Sequence, residues 1–272
     1  MSGSRITFYN SRSRKNDRNR KKINRMEEFN VQKKYTDTAS RYVVMEQRKY
    51  LLTFNYNEVI RILESKKFDR VVDIGCGSGV LIRKLATEYP DIQFLGIDFC
   101  QELLDIGKSQ TQCSNIQFRY ADIISYHTQL IDDYSLLNHK VLFLLLGPME
   151  HYHVHDTFAQ AIYSIWQKTP SATLLITYHN RNFFLHKLFK RKEKRYWTDT
   201  DSIQLFFHEG VQMRRQRYFH FFIFAFLVSG LKMNIGHNGF LYIEKIIAQL
   251  PDALNKYIFV SLLHVFEKQK HE

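Results

Sequence analysis

The chain has 272 residues with a formal net charge of +12, and its hydrophobic fraction of 44% includes 22 Phe and 16 Tyr. That length fits one α/β domain with additions and a sizeable core. No apolar run reaches the ~18 residues of a membrane span, and the three cysteines, Cys76, Cys100 and Cys113, have spacings that make neither a zinc site nor a disulfide framework.

The first 34 residues carry eleven basic side chains against three acidic ones, a local charge of +8. The segment is rich in Ser, Arg, Asn and Lys and almost without aliphatic residues before Ile23. It lacks the apolar material for a core, so residues 1–30 are expected to be a disordered basic tail. It has no signal-peptide h-region. Three roles stay open for it: a solvated appendage, attachment to RNA through phosphates with strong salt dependence, or docking on an anionic membrane surface, where each basic residue contributes about 1 kcal/mol. The expected location is cytoplasmic, free or peripheral at a membrane, with no transmembrane segment.

Residues 31–272 read as one domain. From 28 to 63 the residues Tyr42, Met45, Tyr50, Leu51, Phe54 and Ile60 recur at helical intervals. The stretch VVDIGCGSGVL (71–81) then combines an apolar run, an acid and alternate glycines, Gly75, Gly77 and Gly79. This pattern predicts a strand-to-helix turn whose backbone N–H groups face a ligand. Glycine is required there because a Cβ would block close approach and because tight turns often need positive φ.

An acid two residues before a G-x-G-x-G turn resembles the first motif of the class I S-adenosylmethionine-dependent methyltransferases. The resemblance implies a turn of Gly75, Cys76, Gly77 and Gly79 cradling the methionine end of the cofactor, with Asp73 holding its ammonium group. FLGID (94–98) ends in a second acid roughly 20 residues past the turn, the interval of a ribose-binding carboxylate. Asp98 is therefore expected to accept the ribose hydroxyls in a bidentate, charge-assisted bond, with Phe99 flanking the adenine. IQFRYADI (116–123) supplies Asp122, which by the resemblance reads the adenine amino group, and Ile123, which stacks on the ring. KKYTDTASRY (33–42) is similar to the aromatic lid helix of small-molecule members, with Tyr35 and Tyr42 as the matching aromatics.

Strands at 71–74, 93–97, 116–119, 140–146 and 172–178 alternate with helices at 79–88, 101–109 and 154–166. Such alternation specifies a parallel sheet with helices on both faces. The expected fold is a Rossmann-like three-layer αβα sandwich with a mostly parallel seven-stranded sheet and a helical lid insertion. Ligands of such sheets bind at the carboxyl ends of the strands, where all three acids fall. In the turn at 168–171 the family's proline and two glycines are replaced by Lys-Thr-Pro-Ser, so that turn must be built differently.

LLLGPMEHYHVHD (144–156) resembles the point where the family changes from cofactor to substrate, and places Gly147 beside the cofactor. It lacks the Asn/Asp-Pro-Pro-aromatic of adenine and amide N-methyltransferases, and no cysteine follows a proline as pyrimidine C5 chemistry requires. His151 and Glu150 are the candidate catalytic pair: an imidazole near neutral pKa can take the proton of an attacking hydroxyl or amine. They also suit a capping or core role. His153, His155 and Asp156 complete the cluster, but alternating histidines on a short loop do not converge on one ion without a supporting shell, so no metal is expected.

After 180 the resemblance thins. A basic run at 187–195 is followed by a capped helix and a strand at 211–218, then by an aromatic stretch at 218–233, and a last strand is expected at 257–266. The aromatic stretch reads as part of a lid or insertion over about 183–250. An aromatic pocket with a basic rim suits an amphiphilic, acidic acceptor, and equally an RNA base with its phosphates. The favoured function is methyl transfer from S-adenosylmethionine to oxygen or nitrogen of a small-molecule or lipid-linked acceptor. The alternatives are methylation of RNA or a ribonucleoprotein component, and a non-catalytic module that retains the fold, against which the three acids argue.

Overall fold

The computed structural model describes residues 49–146, 155–180, 211–221 and 259–268, with a few single positions elsewhere. The basic tail, Tyr35, Tyr42, the stretch with Gly147, Glu150, His151 and His153, and most of the expected lid lie outside the described residues.

Helix α1 (Lys49–Ser65) precedes β1 (Arg70–Ile74), α2 (Val80–Glu88), β2 (Gln93–Asp98), α3 (Gln101–Ser109), β3 (Ile116–Tyr120), α4 (Ile123–Asp133), β4 (Lys140–Leu146), α5 (His155–Lys168) and β5 (Ser171–His179). Two long strands follow, β6 (Val211–Phe221) and β7 (Phe259–Lys268). The seven strands form one sheet in the order β3-β2-β1-β4-β5-β7-β6. The five strands from β3 to β5 pair in parallel. β7 runs antiparallel to both its neighbours, β5 and β6.

The central strands are continuous apolar runs because both faces are covered. Along β4 the residues Val141, Leu142, Phe143, Leu144 and Leu145 are all at or below 1% exposure. Alternate residues serve opposite cores. Val72, Phe143, Leu145 and Leu174 pack with Leu130 of α4 and with Phe158 and Trp166 of α5, whereas Val71, Leu142, Leu144 and Leu175 pack with Val59 of α1 and Leu85 of α2. Burying each such side chain stabilises the fold by about 1.5–3 kcal/mol relative to exposure, so β4 alone anchors both layers.

Helix ends are closed by side chains from distant strands. The Asn115 Nδ2 group donates to the carbonyls of Ala86, Tyr89 and Ile92 at 2.9–3.1 Å, satisfying the end of α2 and the turn into β2. At the end of α5, Thr169 folds back, its N–H and hydroxyl both donating to the Ile165 carbonyl at 3.1 and 2.9 Å. The Lys268 Nζ of β7 then donates to the carbonyls of Gln167 and Thr169 at 2.7 and 2.6 Å. A buried threonine and a cation at the helix C-terminus thus build the turn that glycines and proline usually make.

Candidate functional site

The carboxyl edge of β1 and β2 carries the glycine turn. Gly75, Gly77 and Gly79 have φ of +76°, +57° and +68°, a region that side chains other than glycine adopt only with strain. The N–H groups of Gly75 and Cys76 both donate to the Ile97 carbonyl at 2.8 and 3.1 Å, bending the turn over the end of β2. The Gly79 N–H donates to the Cys76 carbonyl at 2.9 Å, and the Gly79 carbonyl accepts the first bond of α2 from Arg83. Helix α2 has no side-chain cap at its start, so its first N–H groups sit beside a glycine-lined surface suited to a ligand.

Asp73 lies on β1 and is 4% exposed. Its register partners are Gly96 on β2 and Leu144 on β4, which places it at the switch point between the two halves of the sheet. Asp98 ends β2 and is 7% exposed. Its Oδ2 accepts from the Gly77 N–H at 2.8 Å and its Oδ1 from the Cys100 N–H at 2.9 Å. One carboxylate therefore fixes both the glycine turn and the start of α3. A carboxylate offers about four lone-pair sites, so beside these N–H donors it retains capacity for a further one. Burial raises the Asp98 pKa above its ordinary value, and the N–H groups of Cys100, Gly77 and Phe99 oppose that rise.

The remaining expected residues divide. Phe99 is half-buried beside Asp98. Asp122 caps α4, its Oδ1 accepting from the Ile124 N–H at 3.0 Å, and stands two residues past the end of β3 at the same edge. The expectation that Ile123 stacks on a ligand ring does not suit its side chain, which is 1% exposed within the core between the sheet and α4 and α5. Cys76 likewise turns its side chain into the core: its Sγ would stand 2.8 Å from a Cβ on Gly96, so its share in the turn is main chain. The Cys100 thiol is pushed up to about 11 by burial, with the Glu102 carboxylate adding to the rise. It stays protonated at neutral pH and is a poor nucleophile.

β4 ends at Leu146 on this same edge. Among the described residues no group of three metal-ligating side chains comes together, and no helix is long and apolar enough to cross a membrane.

Residues outside the glycine motif also shape the turn. Ser78 is fully buried, and Gly96, Gly107 and Phe118 pack tightly around it and Gly79. Gly96 stands within the quoted FLGID run, where a glycine inside a strand is the usual mark of close backbone approach.

A turn of three positive-φ glycines, helix N–H groups at its rim and two buried acids at adjacent strand ends fit the methionine and ribose parts of S-adenosylmethionine. A family model for the methyltransferase domain matches residues 65–201. The malonyl-[acyl-carrier protein] O-methyltransferase of Bacillus cytotoxicus is 24% identical over 129 residues, 46% of this chain and 41% of that protein. The ribosomal RNA small subunit methyltransferase A of Mycoplasma capricolum is 26% identical over 87 residues, 32% of each chain. The matches thus span less than half the length of these curated relatives. Among solved structures, the N-methyltransferase NodS of Bradyrhizobium japonicum in complex with S-adenosyl-L-homocysteine shares the fold at a TM-score of 0.54 and 13% identity, over 86% of this chain and 98% of that one. The chain belongs to the methyltransferase-domain family and has its Rossmann-like fold.

Proposed function

We propose that the chain is an S-adenosylmethionine-dependent methyltransferase acting on an oxygen or nitrogen of a small-molecule or lipid-linked acceptor. The observation that carries the reading is the turn held by Asp98, which prepares a site for the donor alone and leaves the acceptor to the segments after β4 and β5. The named acceptor of the Bacillus cytotoxicus relative, an acyl group on a carrier protein, supports an acceptor presented on a carrier.

In this reading Asp73 holds the cofactor's ammonium group, Gly75 to Gly79 offer N–H groups and a surface without side chains, and Asp98 accepts the ribose hydroxyls. Phe99 flanks the adenine and Asp122 accepts from its amino group through the oxygen not engaged in capping. Bound S-adenosylmethionine supplies a methyl group made electrophilic by its sulfonium. The residues of the chain contribute chiefly orientation, since aligning nucleophile, methyl and sulfur accounts for much of the acceleration in such a transfer. His151, with Glu150, is the proposed base that takes the acceptor's proton. Gly147 opens the stretch that carries them.

The test is calorimetric titration with S-adenosylmethionine and S-adenosylhomocysteine, followed by an acceptor screen that puts carrier-linked carboxylates and lipids before RNA. Methyl transfer to RNA only would replace this reading with the second one, methylation of RNA, which is favoured by the +8 charge of residues 1–34 and by the ribosomal RNA methyltransferase among the relatives. A steep salt slope of RNA binding would accompany that outcome.

A further inference from the structure

Three glycines from three different elements leave one common hollow, and a single aromatic ring fills it. A Cβ placed on Gly79 would stand 2.4 Å from Phe118 Cε1 and 2.7 Å from its Cζ. One on Gly96 would be 3.0 Å from Phe118 Cδ1, and one on Gly107 3.3 Å from Cε1. Gly96 is also the β2 residue in register with Phe118 of β3, so the ring lies across its cross-strand neighbour, where any side chain would stand in its way. Gly107 of α3 comes closer still to the turn itself: its Cβ would lie 2.5 Å from the Ser78 carbonyl oxygen.

We propose that Phe118 is a positioning residue for the cofactor, its ring holding the glycine turn in the binding form from beneath while Asp98 holds it from the side. The turn has no side chains of its own at Gly75, Gly77 and Gly79 with which to fix its shape. Its conformation depends on what packs against it. Asp98 fixes the Gly77 N–H, the Ser78 main chain rests on Gly107, and the ring closes the space beneath Gly79. Removing the ring leaves a void under the start of α2, and glycine, the residue freest to move, faces it. A turn that spends only a tenth of its time in the binding form lowers apparent affinity about tenfold.

The inference rests on the cofactor reading of the turn. Titration of the full chain with S-adenosylhomocysteine is compared for the wild type, Phe118→Leu, Phe118→Ala, Phe118→Tyr and Ile162→Val. Ile162 lies in the core on the opposite face of the sheet, and its substitution controls for a general loss of stability. Phe118→Leu is expected to weaken binding about fivefold and Phe118→Ala about tenfold or more. Phe118→Tyr should weaken it at least as much as Phe118→Leu, because its added oxygen sits on the carbon that crowds Gly79. Ile162→Val should bind as the wild type does. Amide exchange in the peptide spanning the turn should accelerate in Phe118→Leu, while β4 and β5 stay protected. Wild-type affinity in Phe118→Leu, or equal loss in Ile162→Val, overturns the positioning role. Absence of binding by the folded wild type overturns the cofactor reading itself, and the proposal with it.

Discussion

Replacing Asp98 with alanine tests how far one carboxylate organises the site. The substitution removes the acceptor of the Gly77 and Cys100 N–H groups, held at 2.8 and 2.9 Å, and of the Phe99 N–H. A buried donor left unmade costs about 1–3 kcal/mol, which sets a ceiling near 9 kcal/mol for the three. Relief of the buried charge offsets part of that loss, and a net destabilisation of about 2–3 kcal/mol is expected. For a domain of this size that lowers the melting temperature by roughly 4–12 °C. Affinity for S-adenosylhomocysteine should fall more steeply, by about 100- to 10,000-fold, since two charge-assisted bonds to the ribose at about 1.5–3 kcal/mol each are lost. Calorimetry and thermal melts on one preparation read both quantities. An alanine variant that loses stability while binding within threefold of the wild type would refute the assigned role. The sign of the pH dependence adds a second check. Because the folded-state pKa of Asp98 is raised, the folded chain holds a proton that the unfolded chain has released. Asp98 therefore favours folding at low pH, and this contribution is lost as pH rises from 3.8 through the raised pKa. Asp98→Asn should flatten that slope.

Other substitutions test the scaffold. Gly107→Ala should weaken cofactor binding and lower the melting temperature, although alanine is the better helix former by about 1 kcal/mol, because the new methyl meets the Ser78 carbonyl at 2.5 Å; a stabilised variant with unchanged affinity would count against the packing argument. His264, fully buried in β7, has its pKa lowered by burial from 6.5 to about 4. The fold should therefore lose about 3 kcal/mol as pH falls through that window, and denaturant melts of His264→Phe should show a shallower acid slope. Lys268→Met should cost about 1 kcal/mol in a thermal melt by releasing the two carbonyls at the end of α5.

Much of the sheet was legible because its strands announce themselves chemically. An uninterrupted apolar run such as 141–146 admits little besides a strand covered on both faces, and the expected limits 140–146 coincide with β4. The expected 71–74 gains only Arg70, and 257–266 moves by two residues to Phe259–Lys268. Helix α4 was overlooked, although Asp122 as cap and Ile123, Tyr126, Leu130 and Ile131 as one buried stripe carry its signature. A lone Asp is more often a helix cap or turn residue than a ligand, and Asp122 is such a cap. The glycine turn stood out because spacing and chemistry coincide in the eleven residues 71–81. The packing of Phe118 against Gly79, Gly96 and Gly107 did not, since its parts are scattered over forty residues and only the fold brings them together.

The place of β7 has a consequence for how the chain acquires its shape during synthesis. It lies between β5 and β6 yet follows both along the polypeptide. As the chain leaves the ribosome, β1 to β5 can assemble with their helices, whereas β6 emerges with no neighbour to pair with and the outer edge of β5 stays open. Both wait for residues 259–268, the same segment that brings Lys268 to the end of α5 and Glu267 to Lys66. A ribosome stalled before that point would display two unpaired strand edges, the kind of surface that recruits other chains.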